Sequence, residues 1–125
     1  MKNITLTEFN DSFVKFESNI GNGIAVWSGD WPPPKFCHDI ELNIDVLFQW
    51  GTNISRANEE NSSVKTVGNK IVFTAKILSC EDDGMLTISL DGSVMFIEVS
   101  KNSIIDGYVS FFTTPDNIKI YPVKL

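Results

Sequence analysis

The sequence predicts an all-β fold: one domain over residues 1–125, a single small antiparallel barrel or sandwich of about eight strands. Three observations predict it. Between positions 38 and 50 every second residue is apolar (Ile40, Leu42, Ile44, Val46, Phe48, Trp50), and the residues between them, Leu47 apart, are polar. Side chains alternate across a strand with period 2, so one face is buried and the other wet, a pattern no helix produces. Two hairpins in residues 70–99 agree on one buried face. Turn signals recur about every ten residues along the rest of the chain.

Taken in order, residues 5–18 admit two readings. Phe9, Phe13 and Phe16 have helical spacing, and Thr5 with Glu8 resembles a capping box. The run Phe13-Val14-Lys15-Phe16 is rich in strand formers, and Ile24-Ala25-Val26-Trp27 resumes as an apolar run after Gly21-Asn22-Gly23. A hairpin turning at 21–23 accounts for more of the sequence than a helix does. The three prolines after Trp31 fix φ and remove donors, which makes 28–34 an extended connector. Trp31 either folds over the edge of the core or stands out as an aromatic anchor for a partner.

The strand at 38–50 follows, ended by Gly51. Residues 52–69 read as a long polar loop with room for one helical turn around 55–60; connections of this length tend to be mobile or functional. Residues 70–99 form a meander whose register can be derived. Asp91-Gly92 is a strong two-residue hairpin signal and places Leu90 opposite Ser93, Ile88 opposite Met95 and Leu86 opposite Ile97. Pairing Cys80 with Met85 across Glu81-Asp82-Asp83-Gly84 sets Ile77 opposite Ile88 and Ala75 opposite Leu90 on the same layer. The buried face is then Ile71, Phe73, Ala75, Ile77, Leu86, Ile88, Leu90, Met95, Ile97 and Val99. The outer face is mostly polar, apart from Val72, Leu78, Val94 and Phe96. A loop at 100–103, Ile104-Ile105, the turn Asp106-Gly107, a strand at 108–113, a break at Pro115-Asp116-Asn117 and a last strand at 118–123 complete the chain.

Net charge is −6, and the nine Lys and one Arg are scattered singly. A nucleic-acid binder presents a basic face, so this balance points to a cationic partner and away from DNA or RNA. No apolar run approaches the roughly 18 residues that span a bilayer, and 1–10 lacks the apolar segment of a signal peptide. The expectation is a cytoplasmic protein without membrane partners, whose two cysteines, Cys37 and Cys80, stay free.

Catalytic and metal chemistry find no constellation. The single histidine, His38, lies between Cys37 and Asp39, and neighbours on a strand point to opposite faces, so they cannot converge as a catalytic unit. Two Cys and one His lack zinc-ligand spacing, Glu81-Asp82-Asp83-Gly84 lacks that of a calcium loop, and no cofactor is expected. What remains is surface. Asp39, Glu41 and Asp45 share one strand face with no cation between them in the sequence; Asp30, Glu59, Glu60, Glu81, Asp82 and Asp83 add to the acidic field. The plain reading is a soluble outer face that protects a sheet edge. The sharper one is an acidic docking surface for a cationic protein, with Trp31, Trp27 or Trp50 as anchors.

The turn order over 70–122 resembles the oligonucleotide/oligosaccharide-binding (OB) fold, which carries the alternative of a module for nucleic acid or a small ligand. In size, acidity and all-β character the whole chain resembles immunity proteins of bacterial contact-dependent inhibition and related toxin systems. That resemblance implies a non-enzymatic, cytoplasmic protein that binds and blocks one cognate toxin, often a cationic nuclease.

Overall fold

A computed structural model describes residues 1–100 and 106–123. The expected segment Ile104-Ile105 lies outside the described residues. Among those described there are twelve strands, one 3-10 turn and no α-helix: β1 (Lys2–Asn10), β2 (Phe13–Ser18), β3 (Gly21–Trp27), β4 (Phe36–Ile44), β5 (Leu47–Phe48), β6 (Ile54–Arg56), β7 (Ser63–Val67), β8 (Lys70–Cys80), β9 (Met85–Leu90), β10 (Ser93–Val99), β11 (Tyr108–Thr113) and β12 (Ile118–Pro122).

Five of these close on themselves. β1 pairs with β2 and β4, β2 with β3, β12 with β4, all antiparallel, and a parallel pairing of β3 with β12 completes the ring. The second half is organised on β8. Thr74 pairs with Ser63 of β7 and Ser110 of β11, and Lys76 with Ser89 of β9 and Tyr108 of β11. A residue has one partner per edge, so β7 and β9 share one edge of β8 and β11 takes the other. β10 continues from β9, β5 runs parallel beside the end of β10, and β6 lies outside β11. Of the strands in 70–122, only β12 enters the closed ring.

The alternation at 38–50 survives in burial: Ile40, Ile44 and Phe48 are buried, and Leu42, Val46 and Trp50 pack half-buried against the core. The strand itself is two. β4 belongs to the ring and β5 to the second half, so the chain bends at Asp45-Val46, where the Asp45 N–H donates to Asn117 O at 3.2 Å. The derived buried face of the meander is buried at every position, and the Asp91-Gly92 register is as expected. Asp91 and Gly92 both have positive φ (52° and 87°), the conformation that a tight hairpin turn requires. Ile77 does face Ile88, but an irregularity at Leu78 inserts a residue, so Cys80 faces Leu86 and not Met85.

Three expectations are corrected. Residues 5–18 take the favoured strand reading, as the end of β1, a turn at Asp11-Ser12 and β2, but the β2–β3 hairpin turns at Asn19-Ile20, not at 21–23. The glycines there are needed for close approach instead. A Cβ on Gly21 would sit 1.7 Å from Val64 O, where β3 and β7 pair, and one on Gly23 would sit 2.7 Å from the Phe16 ring. The loop at 52–69 holds β6 and β7, and 55–60 carries no helical turn; Ile54 and Val64, its isolated apolar residues, are the buried ones. Short strands in polar surroundings (β5, β6, β7) set up no clear alternation, and the turn at Asp11-Ser12 divides the first segment into β1 and β2, so the sequence pattern predicts about eight strands where twelve are found.

The core is one cluster. In the second half Phe73 stacks on Phe111 (5.3 Å between ring centres, 15° between planes), and Phe48 meets Phe111 edge-on at 5.2 Å. Phe16, Val14, Ala25, Ile4, Ile118 and Ile120 fill the ring.

Candidate functional site

β4 leaves the ring through the Asp45 bend to join β10 as β5, so β4 and β10 splay apart upstream of that junction. The gap is a cleft of about 630 Å³ with Ile40, Leu42, Leu90 and Met95 in its apolar lining and Asp39, Glu41, Asn43, Lys2 and Ser93 supplying polar groups. Tyr121 of β12 and Val123, just past its end, reach it as well. Its β10 wall carries two exposed apolar side chains, Val94 and Phe96, at 58% and 62% exposure.

The predicted acidic residues divide among several places. Asp39 and Glu41 come together in the cleft; Asp45 sits apart at the bend. Asp39 does have cations, from a strand far away in sequence: Lys2 Nζ lies 2.6 Å from Oδ2 and the Met1 ammonium 3.3 Å from Oδ1. The hydrogen bond from Lys2, then that from the Met1 ammonium and the charges of both, hold the Asp39 carboxyl below the ordinary carboxylate range against some desolvation. The register explains it: β1 lies against β4 with Lys2 opposite Asp39. Glu41 is exposed and makes no ion pair among the described residues. Lys2 is committed to Asp39, which leaves Glu41 as the uncompensated charge of the cleft lining.

Glu59 and Glu60 are exposed in the segment between β6 and β7. Ser62 Oγ in that segment accepts the Asp91 N–H at 2.8 Å, which ties it to the tip of the β9–β10 hairpin at the cleft's edge. Glu81, Asp82 and Asp83 form the turn at the opposite end of that hairpin, closed by Met85 N–H donating to Asp83 Oδ1 at 3.0 Å. Asp30 lies on the 28–35 connector, where its backbone oxygen accepts the Trp27 indole N–H at 2.8 Å. No single face gathers all ten predicted residues.

Of the three candidate anchors, Trp27 is buried in the core and Trp50 packs half-buried against it. Trp31 is the exposed one, at 54%, edge-on to the exposed Phe9 with ring centres 6.2 Å apart. A second, shallower pocket of about 540 Å³ lies between β2 and the Pro115-Asp116 turn, lined by Phe13, Ile24 and Lys15 among others. His38 is exposed and packs edge-on against Phe36 at 5.1 Å. Cys37 is buried, and burial pushes its thiol pKa up, away from nucleophile chemistry. No group of three or more metal-ligating side chains gathers among the described residues, and no described helix is long and apolar enough to cross a membrane.

Val94, Phe96 and Asn43 are cleft residues that a search for acidic rows does not find. The signal for the first two lies in the meander register, which sets Val94 and Phe96 on the outward face. Comparison with protein-family models, curated proteins and solved structures finds no match to this chain.

Proposed function

We propose that this chain is a binding protein of the immunity type, which engages a cationic protein through the cleft between β4 and β10. The observation that carries the reading is the juxtaposition in that cleft of an uncompensated carboxylate, Glu41, with exposed Val94 and Phe96. An apolar pair beside an unpaired charge suits protein recognition: the side chains supply burial on docking, and the carboxylate supplies orientation and association rate. The overall charge of −6 favours a basic partner over the whole approach path.

An OB-like reading is supported by a different set of strands from the one the sequence suggests. Closure in the order β1–β2–β3–β12–β4, with β3–β12 as its one parallel pair, is the order of such a barrel. Residues 45–117 then stand as an elaboration between its last two strands. This arrangement of the ring carries no function by itself.

The test is binding to a basic protein encoded beside this chain, followed by stopped-flow fluorescence at increasing salt. Glu41→Gln is expected to slow association several-fold and flatten its salt dependence, while the fold stays intact by circular dichroism. Unchanged kinetics discards the site; the lack of any basic binding partner encoded there discards the immunity reading.

A further inference from the structure

The two edges of β10 are unequal. Val99 N–H donates to Gly84 O on the β9 side at 2.9 Å, and Ser100 N–H donates to Phe48 O on the β5 side at 2.7 Å. Backbone groups of successive residues point to opposite edges, so alternation carries this pattern back along the strand. Ser93, Met95 and Ile97 spend their N–H and C=O on β9. Val94, Phe96 and Glu98 turn theirs to the other edge. β5 reaches only Glu98 and Val99 on that edge. Among the described residues no strand pairs with Val94 and Phe96 there, so roughly 13 Å of sheet edge opens into the cleft. An open edge of this kind is a template for a further strand.

We propose that the cleft is a strand-addition site: an extended segment of the partner protein pairs with the backbone of Val94 and Phe96 and directs a Lys or Arg to Glu41 on the facing β4 wall. This rests on the binding-protein reading and adds its geometry. Three features select this occupant. The open edge demands main-chain donors and acceptors, which a small apolar ligand lacks. The exposed side chains of Val94 and Phe96 lie on the outer face of the same stretch and offer apolar contact to alternate residues of the added strand. Glu41 is uncompensated while Lys2 is engaged with Asp39, so the complementary charge on the segment is positive.

The experiment is selection from a random peptide library displayed on phage, against the immobilised full chain at low salt. Selected sequences are expected to alternate apolar residues and to carry a Lys or Arg at a fixed place. N-methylation of alternate peptide nitrogens is expected to weaken binding at least about tenfold (~1.4 kcal/mol), because it removes edge donors and leaves the side chains in place. Val94→Pro is expected to do the same from the protein side, well beyond the smaller loss from Val94→Ala, which removes side-chain contact alone; Pro there leaves the β9 ladder intact. If Val94→Pro misfolds, the N-methylated peptides still decide the question. Binding that falls with Glu41→Gln but tolerates N-methylation overturns strand addition and keeps the acidic docking surface. Selected peptides indifferent to both changes, or no enrichment at all, overturn the proposal. A concentration-dependent dimer in sedimentation, abolished by Val94→Pro, assigns the edge to a second copy of this chain and overturns the proposed occupant.

Discussion

Gly21→Ala tests how the two halves are joined. Gly21 has φ of 135° and pairs with Val64, the one parallel contact of β3 with β7. A Cβ there would lie 1.7 Å from Val64 O, so the strands must part by over about 1 Å or the chain must rotate. The backbone conformation costs an L-residue roughly 1–2 kcal/mol. The bond from Val64 N–H to Ile20 O, 3.0 Å long, adds roughly 1 kcal/mol when it is lost, and the packing of fully buried Val64 loosens as well. The total is about 3 kcal/mol, or a fall in Tm of about 12 °C for a domain of this size. Gly68 is the control. Its φ of 62° is also left-handed, but a Cβ added there would meet nothing within 4 Å, so Gly68→Ala costs about 1 kcal/mol of backbone strain. Urea unfolding followed by tryptophan fluorescence measures both. Equal losses for the two variants would refute the close β3–β7 junction.

Other outcomes follow from the same structure. Phe111→Ala removes a fully buried ring shared by Phe73 and Phe48 and should cost about 4 kcal/mol, whereas Phe96→Ala, at an exposed position, should stay within about 0.5 kcal/mol; chemical denaturation separates them. Asp39→Asn should cost less than about 1 kcal/mol near neutral pH, because Lys2 is largely exposed. The Asp39 pKa is depressed in the folded state, so its stabilisation is present above the unfolded value, about 4, and disappears as pH falls through the folded value. The stability gap between wild type and Asp39→Asn should therefore close in acid, as thermal melts across pH 2–7 would report. Cys37, buried and with its thiol pKa raised, should react with a disulfide reagent at pH 8 far more slowly than half-buried Cys80, read by mass spectrometry of the labelled chain.

Local alternation is readable in the sequence; long-range closure is not. The buried face of 70–99 follows from period 2 and from Asp91-Gly92, because hairpin partners are neighbours in sequence. The bulge at Leu78 leaves no mark, since one extra residue in a strand needs no special side chain there. Gly21 and Gly23 look like a turn because glycine signals both turns and close backbone approach, and only Val64 and Phe16, brought in by other strands, tell the two apart. The ring closes through β3 with β12, nearly a hundred residues apart in the chain, and a pattern read along the chain holds no information on such a pairing. The same holds at the cleft. In the sequence Glu41 is one of a row, yet what sets it apart is that β1 brings Lys2 to Asp39 and not to it. Val94 and Phe96 are legible as outward apolar residues, but their exposure depends on where β5 stops along β10.

Whether the open β10 edge receives a partner strand at the cleft is read out residue by residue in amide hydrogen exchange. In the free protein the N–H groups of Met95 and Ile97 should be strongly protected and those of Val94 and Phe96 should exchange rapidly, an alternation imposed by a ladder on one edge only. On saturation with a selected peptide, Val94 and Phe96 should become protected while Met95 and Ile97 change little. Slow exchange at all four positions in the free protein would show the edge already covered and leave no place for an added strand.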